Sequence, residues 1–199
     1  GQEAWYHWTA NLHTNRLTEI YLWSCDRKDL DRIPKTDWIA FLEGQSPGYP
    51  EEALRAELSA VRAKVEEMDR DNTTPDTRLA DYLMGFNPAR TDALARLTLG
   101  GYLTGNIWTL HSRVRYFDPV RRRSGLPEDV AALVEKLSAD SVTLSLVNTN
   151  QAAARTLIVQ AGGYGEHQFI SAAWNGKTVP LDDSLIDRVV NTGLLQAKN

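Results

Sequence analysis

Apolar positions along the chain change period near residue 141, from helical three-and-four spacing to strand-like alternation. The clearest helical stretch is YPEEALRAELSAVRAKVEEMDR, where Leu54, Leu58, Val61, Val65 and Met68 recur at spacings of four, three, four and three. Glu51/Arg55, Arg62/Glu66 and Glu66/Arg70 stand one turn apart on its polar side. Pro50 suits the first helical position, with Glu51 and Glu52 at the positive end of the dipole. The pattern predicts a helix to Asp69 whose apolar stripe must dock on something. Similar spacing predicts a helix over 3–24, with Trp5, Trp8 and Leu12 on a face continued by Ile20, Tyr21 and Trp23. A short helix over 37–43 has Thr36 as its N-cap and ends at Gly44. Residues 79–86 read as one more turn. Asn87 and Pro88 cap a helix through Leu99, with Leu94, Ala95 and Leu97 as its apolar side and Gly100 as its stop. A last helix over 127–140, PEDVAALVEKLSAD, starts at Pro127 and buries Val130, Leu133, Val134 and Leu137.

Beyond Ser141 the runs are short and β-type: 142–148, 155–161, 167–174 and 177–181, with 187–191 as a fifth. Asn175-Gly176 is a two-residue hairpin signal. Four or five strands amount to half of a β-sandwich, which closes with about seven. The fold class is therefore α+β, an N-terminal helical region followed by a C-terminal antiparallel β-sandwich-like region. The divisions are a helical region over 1–109, a strand-helix connector over 110–141 and a β-rich region over 142–199.

Between the two rhythms lies a joint, Gly100, Gly101 and Gly105, followed by the alternating run from Leu110 to Phe117. Period two puts His111, Arg113, Arg115 and Phe117 on one side of a strand. Three cationic or ionisable groups in a row need carboxylate partners, water or an anionic ligand, and an ion-pair network with the acidic helices is the simplest arrangement. The Gly-rich joint lets a backbone approach a ligand closely, or lets a long connection turn. It lacks the Lys and Ser/Thr of a P-loop and the preceding strand of a dinucleotide fingerprint.

Charge sharpens this picture. The net charge of -4 over 199 residues argues against a general nucleic-acid binder. Five Arg against one Asp over 113–123 make that window the part able to attract an anion. The lone cysteine, Cys25, excludes an internal disulfide and reads as a small buried side chain rather than a catalytic thiol. No run approaches the ~20 apolar residues of a membrane span. The chain begins without Met inside an amphipathic pattern, so the natural N-terminus is expected upstream together with any targeting signal, and a secreted or periplasmic setting stays open.

Chemical motifs are sparse. No His or Cys spacing suits a metal, no G-x-S-x-G elbow marks a nucleophile, and no cofactor is expected. Glycoside hydrolysis needs two carboxyl groups at a defined separation, and Asp81, Asp118 and His111 are the catalytic candidates. Arg113, Arg115, Trp108 and Tyr102 are the binding candidates. With Trp174, the last two offer flat faces to a glycan. Residues 85–175, and above all VNTNQAAARTLIVQAGGYGEHQF, resemble the tail of larger bacterial proteins in which a helical, toroid-like domain precedes a C-terminal β-sandwich, as in several polysaccharide-active enzymes. That resemblance implies a fragment of a carbohydrate-active enzyme acting on a polysaccharide or glycoside. The alternative is a non-catalytic glycan-binding or anion-recognising interaction module. Expected partners are a glycan or anionic small molecule and the remainder of the same polypeptide, with neither nucleic acid nor membrane among them.

Overall fold

The computed structural model describes residues 14–32, 36–78, 85, 87–101, 111–181 and 190–191. Among these residues four α-helices come first: α1 (Thr14–Ser24), α2 (Asp37–Leu42), α3 (Tyr49–Arg70) and α4 (Asp92–Leu99). Eight short strands follow: β1 (Val114–Asp118), β2 (Arg123–Ser124), β3 (Val130–Leu137), β4 (Val142–Asn148), β5 (Thr156–Ala161), β6 (Ser171–Trp174), β7 (Lys177–Pro180) and β8 (Val190–Asn191). The architecture is α+β, with the strands in small antiparallel sheets ordered β2-β1-β5-β8, β3-β4 and β6-β7. None of the described helices is long and apolar enough to cross a membrane.

Local sequence explains the helix ends. Thr36 caps α2, its side chain accepting from the Ile39 amide at 3.3 Å. Gly100 ends α4 in the left-handed region, φ +66°, where glycine carries no Cβ penalty. α4 starts at Asp92, later than Asn87-Pro88 implied. Thr91, which precedes it, makes no side-chain cap. The cap comes from α3 instead: the Glu57 carboxylate accepts from the Ala93 and Leu94 amides at 2.9 and 3.3 Å. A carboxylate there meets the orphan N–H groups and the positive end of the dipole together.

The 127–140 segment is not a helix. Val130 N donates to Pro127 O in a turn whose corner residue Asp129 sits at φ +64°, a conformation that a helix cannot propagate. Contacts from the β4–β5 loop hold it there. Asn150 Nδ2 and Arg155 Nη2 donate to the Asp129 carboxylate at 2.9 and 2.5 Å, and Thr149 N donates to its carbonyl at 2.8 Å. β3 then pairs with β4 from Val130↔Asn148 to Leu137↔Val142, with a one-residue bulge between Val134 and Lys136. That bulge explains the misleading period. Val130, Ala132 and Val134 share a face by alternation, and the extra residue brings Leu137 back to the same side. Spacings of four and three thus arise from a bulged strand.

A core cluster joins both halves: Leu22 of α1, Trp38, Ile39 and Leu42 of α2, Val114 and Tyr116 of β1, Val134 of β3 and Leu157 of β5. α2 and α4 both pack on β3. Tyr116 is anchored by its hydroxyl, which donates to Thr98 O at 2.8 Å, and burial raises its pKa well above the ordinary value. The α1 face matches expectation only at Tyr21, which packs against the core. Thr18 and Leu22 are buried, whereas Ile20 and Trp23 are exposed. On α4, Ala93, Ala95 and Leu97 are buried and Leu94 is exposed.

α3 departs furthest. It has no buried residue, and Leu54, Leu58, Val65 and Met68 remain 42, 50, 43 and 43% exposed. Its small side supplies the contact with the body: Ala53, Ala56, Ala60 and Glu57 border a shallow groove closed on the far side by Arg90, Ala93 and Arg96. The Leu-Val-Met stripe lies a quarter turn away, uncovered.

Candidate functional site

The joint places its groups tightly. Arg113 N donates to Leu99 O at 2.9 Å, and Gly162 N donates to Arg113 O at 2.8 Å, so one residue ties the end of α4 to the loop after β5. A Cβ on Gly101 would collide with the His111 carbonyl, so the close approach permitted by this glycine is made by the chain itself. β1 begins only at Val114, which leaves His111 and Arg113 in the lead-in rather than in the strand.

A hollow forms there, lined by Trp23, His111, Ser112, Arg113, Glu166 and His167 among others. The hollow is partly open, and its base has room for a water molecule. Trp23 Nε1 donates to His111 Nε2, with the two rings edge-on at 4.6 Å. Burial foremost, and the Arg113 charge after it, depress the His111 pKa against the opposing pull of Glu19 and Glu166. The imidazole is thereby kept neutral, as an acceptor at Nε2. Glu166 is held by its own loop. Gly163 N and Tyr164 N donate to its carboxylate at 3.2 and 2.7 Å, and a Cβ on Gly162, at φ +81°, would strike the same carboxylate. Burial raises its pKa, and the backbone donors together outweigh that, leaving it lowered. The nest that could bind an anion is filled by an internal one.

The arginines are also spent on structure. Arg113 Nη2 donates to Leu22 O and Cys25 Sγ. Arg115 Nη1 donates to Gly163 O at 3.1 Å, and its guanidinium lies 5.3 Å from the centre of the Phe117 ring. Arg121 pairs with Glu128, and Arg123 donates to Leu126 O. The partners of Arg113 and Arg115 are thus carbonyls, a thiol and a ring, not the acidic helices. Cys25 is half-buried at φ +52°, within polar contact of Leu22 O and Ser138 O, rather than a wholly buried apolar side chain.

Asp118 stands at the opposite end of β1 from His111. Its carboxylate is buried and accepts from Val120 N and Arg121 N at 3.1 and 3.0 Å, fixing the turn to β2. It does not line the hollow. Asp81, Tyr102 and Trp108 lie outside the described residues. Three of the described candidates therefore gather near the joint, His111 and Arg113 in the hollow and Arg115 beside it, and the acid that lines the hollow with them is Glu166 rather than Asp118. Glu166 and His167 were missed because only the β5 loop brings them there, and the GGYGE turn is their single local signal. Among the described residues no group of three His, Cys, Asp or Glu side chains could hold a metal ion.

Two open apolar surfaces lie elsewhere. One is the α3 stripe. The other is the β6–β7 hairpin, in which register puts Ala172, Trp174 and Val179 on one face, every strand residue being exposed. Asn175 and Gly176 take φ +47° and +73°, as the Asn-Gly signal implies. Phe169 packs against the core and fixes the hairpin's base.

Residues 26–95 are similar to a domain of unknown function (DUF8034), a match that spans α2, α3 and the start of α4. No curated protein and no solved structure matches the chain.

Proposed function

We propose that this chain is a non-catalytic interaction module, rather than the active part of an enzyme that processes polysaccharides or glycosides, and that it docks a protein partner through α3. The observation that carries the reading is the α3 stripe, four large apolar side chains each more than two-fifths open on a helix otherwise laced by Glu51–Arg55 and Glu66–Arg70 ion pairs. Leaving such a row in water is costly, since full burial of each side chain contributes roughly 1.5–3 kcal/mol. The hollow at His111 supports the same reading by its engaged groups. The test has two arms. The purified chain should release no reducing sugar from a polysaccharide panel, and it should bind the apolar dye anilinonaphthalene sulfonate, with binding lost in Leu54→Glu/Leu58→Glu. Turnover that disappears with His111→Ala or Asp118→Asn would overturn it.

A glycan-binding reading has one observation of its own. Trp174 sits with Lys177 across the open face of the hairpin, an indole plane beside a cation. Tryptophan quenching by a soluble glycan that vanishes in Trp174→Ala supports it, and a flat titration across the panel removes it.

A further inference from the structure

We propose that the Trp23 ring is a proton-operated lid on the hollow at the joint, held shut by its hydrogen bond to neutral His111 and released when that imidazole takes up a proton. The inference is independent of the reading of α3 and concerns α1 and the lead-in to β1. An indole nitrogen is only a donor, so the bond from Trp23 Nε1 to His111 Nε2 requires that Nε2 carry no proton. Protonation sets two N–H groups against each other at that contact. The bond that closes the lid thus exists in one charge state of the imidazole alone.

The surroundings let the ring move without the helix. Leu22 is buried in the core and its carbonyl accepts from Arg113 Nη2, so the backbone at the end of α1 stays fastened. Trp23 itself is 61% exposed, and the bond to His111 is the only hydrogen bond of its indole nitrogen among the described residues. The closed arrangement also carries a cost. Ser112 and Arg113 line the hollow with Trp23, and Ser112 Oγ and Arg113 Nε are buried without a hydrogen-bond partner. Water admitted by a raised lid supplies partners to such atoms, which offsets the bond given up.

Charges face the imidazole from each element packed around it. Glu19 of α1 and Glu166 of the loop after β5 attract an imidazolium, whereas Arg113 on the same lead-in repels it, as does His167 of that loop once charged. α4 adds only Gly100 to the lining. Attraction and repulsion come near to balance, and burial decides the sign: the shut hollow disfavours the charged ring. A raised lid returns the ring to water, so the open form binds a proton more tightly and falling pH shifts the population toward it. The window lies below about pH 6.5, where an ordinary imidazole titrates and the covered one is still neutral.

Nuclear magnetic resonance of the isotope-labelled full chain between about pH 7.5 and 5 tests this. The Trp23 indole N–H resonance, assigned by its absence in Trp23→Phe, should lose its hydrogen-bonded shift at the same midpoint at which the His111 ring carbons titrate. The nuclear Overhauser contact between the two rings should be lost over the same range. In His111→Gln, whose amide oxygen accepts at every pH in the window, the indole resonance should hold its bonded position. In His111→Ala it should stand at the free position throughout. An indole resonance that ignores the titration of His111 overturns the proposal, and so does a ring contact that survives it. A pH-dependent shift that persists in His111→Gln also overturns it, because Glu19, Glu166 or His167 is then the source. Both decisive readouts are made on the parent chain, so a variant that fails to fold leaves the test intact.

Discussion

α3 and β3 carry the same apolar rhythm and become opposite structures. In α3 the spacing of four and three is a helix, with apolar residues on one side and ion pairs along the other. In β3 the same spacing from Val130 through Val134 to Leu137 is a strand with an extra residue. α3 is a 22-residue run free of internal breakers, able to hold helical shape on charge pairs and propensity while its stripe stays open. β3 has eight residues, a turn locked at Asp129 and a complementary strand one tight turn away. A nascent helix that short does not compete with a ladder of backbone bonds plus a buried face. Periodicity therefore reports which residues want to share a side, and the available partner decides how they come to share it.

Inserting one alanine between Ala132 and Leu133 should be the most damaging way to probe that contrast. With Val134 and Leu137 kept inward by the bulge, the added residue turns Val130 and Ala132 outward and off their partners Asn148 and Leu146, costing about 3 kcal/mol or more. An insertion variant that melts like the parent would mean that pairing with β4 is not what aligns the face.

A matched pair of truncations comes next. Val134→Ala removes a fully buried side chain at the centre of the shared core and should lower stability by about 2 kcal/mol. Val65→Ala, at the equivalent phase of α3, should fall within about 0.5 kcal/mol in the monomer. Equal losses in urea denaturation would show that α3 is packed as tightly as β3.

Glu57→Ala should cost about 1 kcal/mol by uncapping α4, comparable to Thr36→Ala at α2, although only the second change lies beside the helix it affects. Hydrogen exchange would show the loss: faster amides at Ala93 and Leu94 in the first variant and at Ile39 in the second.

The smallest effect expected is a pH dependence at the joint. His111 has a folded pKa below its ordinary value, so the folded state binds fewer protons there than the unfolded chain. Stability from this group is complete above about pH 6.5 and declines as pH falls toward the lowered value. Melting midpoints at neutral and mildly acidic pH should differ less in His111→Gln than in the parent. An unchanged difference would remove His111 from the account.

What the sequence determined by itself was whatever depends on near neighbours. Thr36 as a cap, Gly100 as a stop, the span of α3, the runs that became β4 and β5, and the Asn175-Gly176 turn are each governed by residues a few positions apart. The charge series at 111–115 was also legible, but its partners were not, because Leu22, Cys25 and Gly163 lie tens of residues away. Tertiary structure alone decided that Pro127-Glu128-Asp129 is a turn, since that depends on Asn150 and Arg155. It alone decided that Asp118 ties a corner instead of facing His111. It also decided that the best helix in the chain would touch the body with its alanines and leave its leucines open. Burial and long-range hydrogen bonds set these outcomes, and neither is a property of any short stretch of chain.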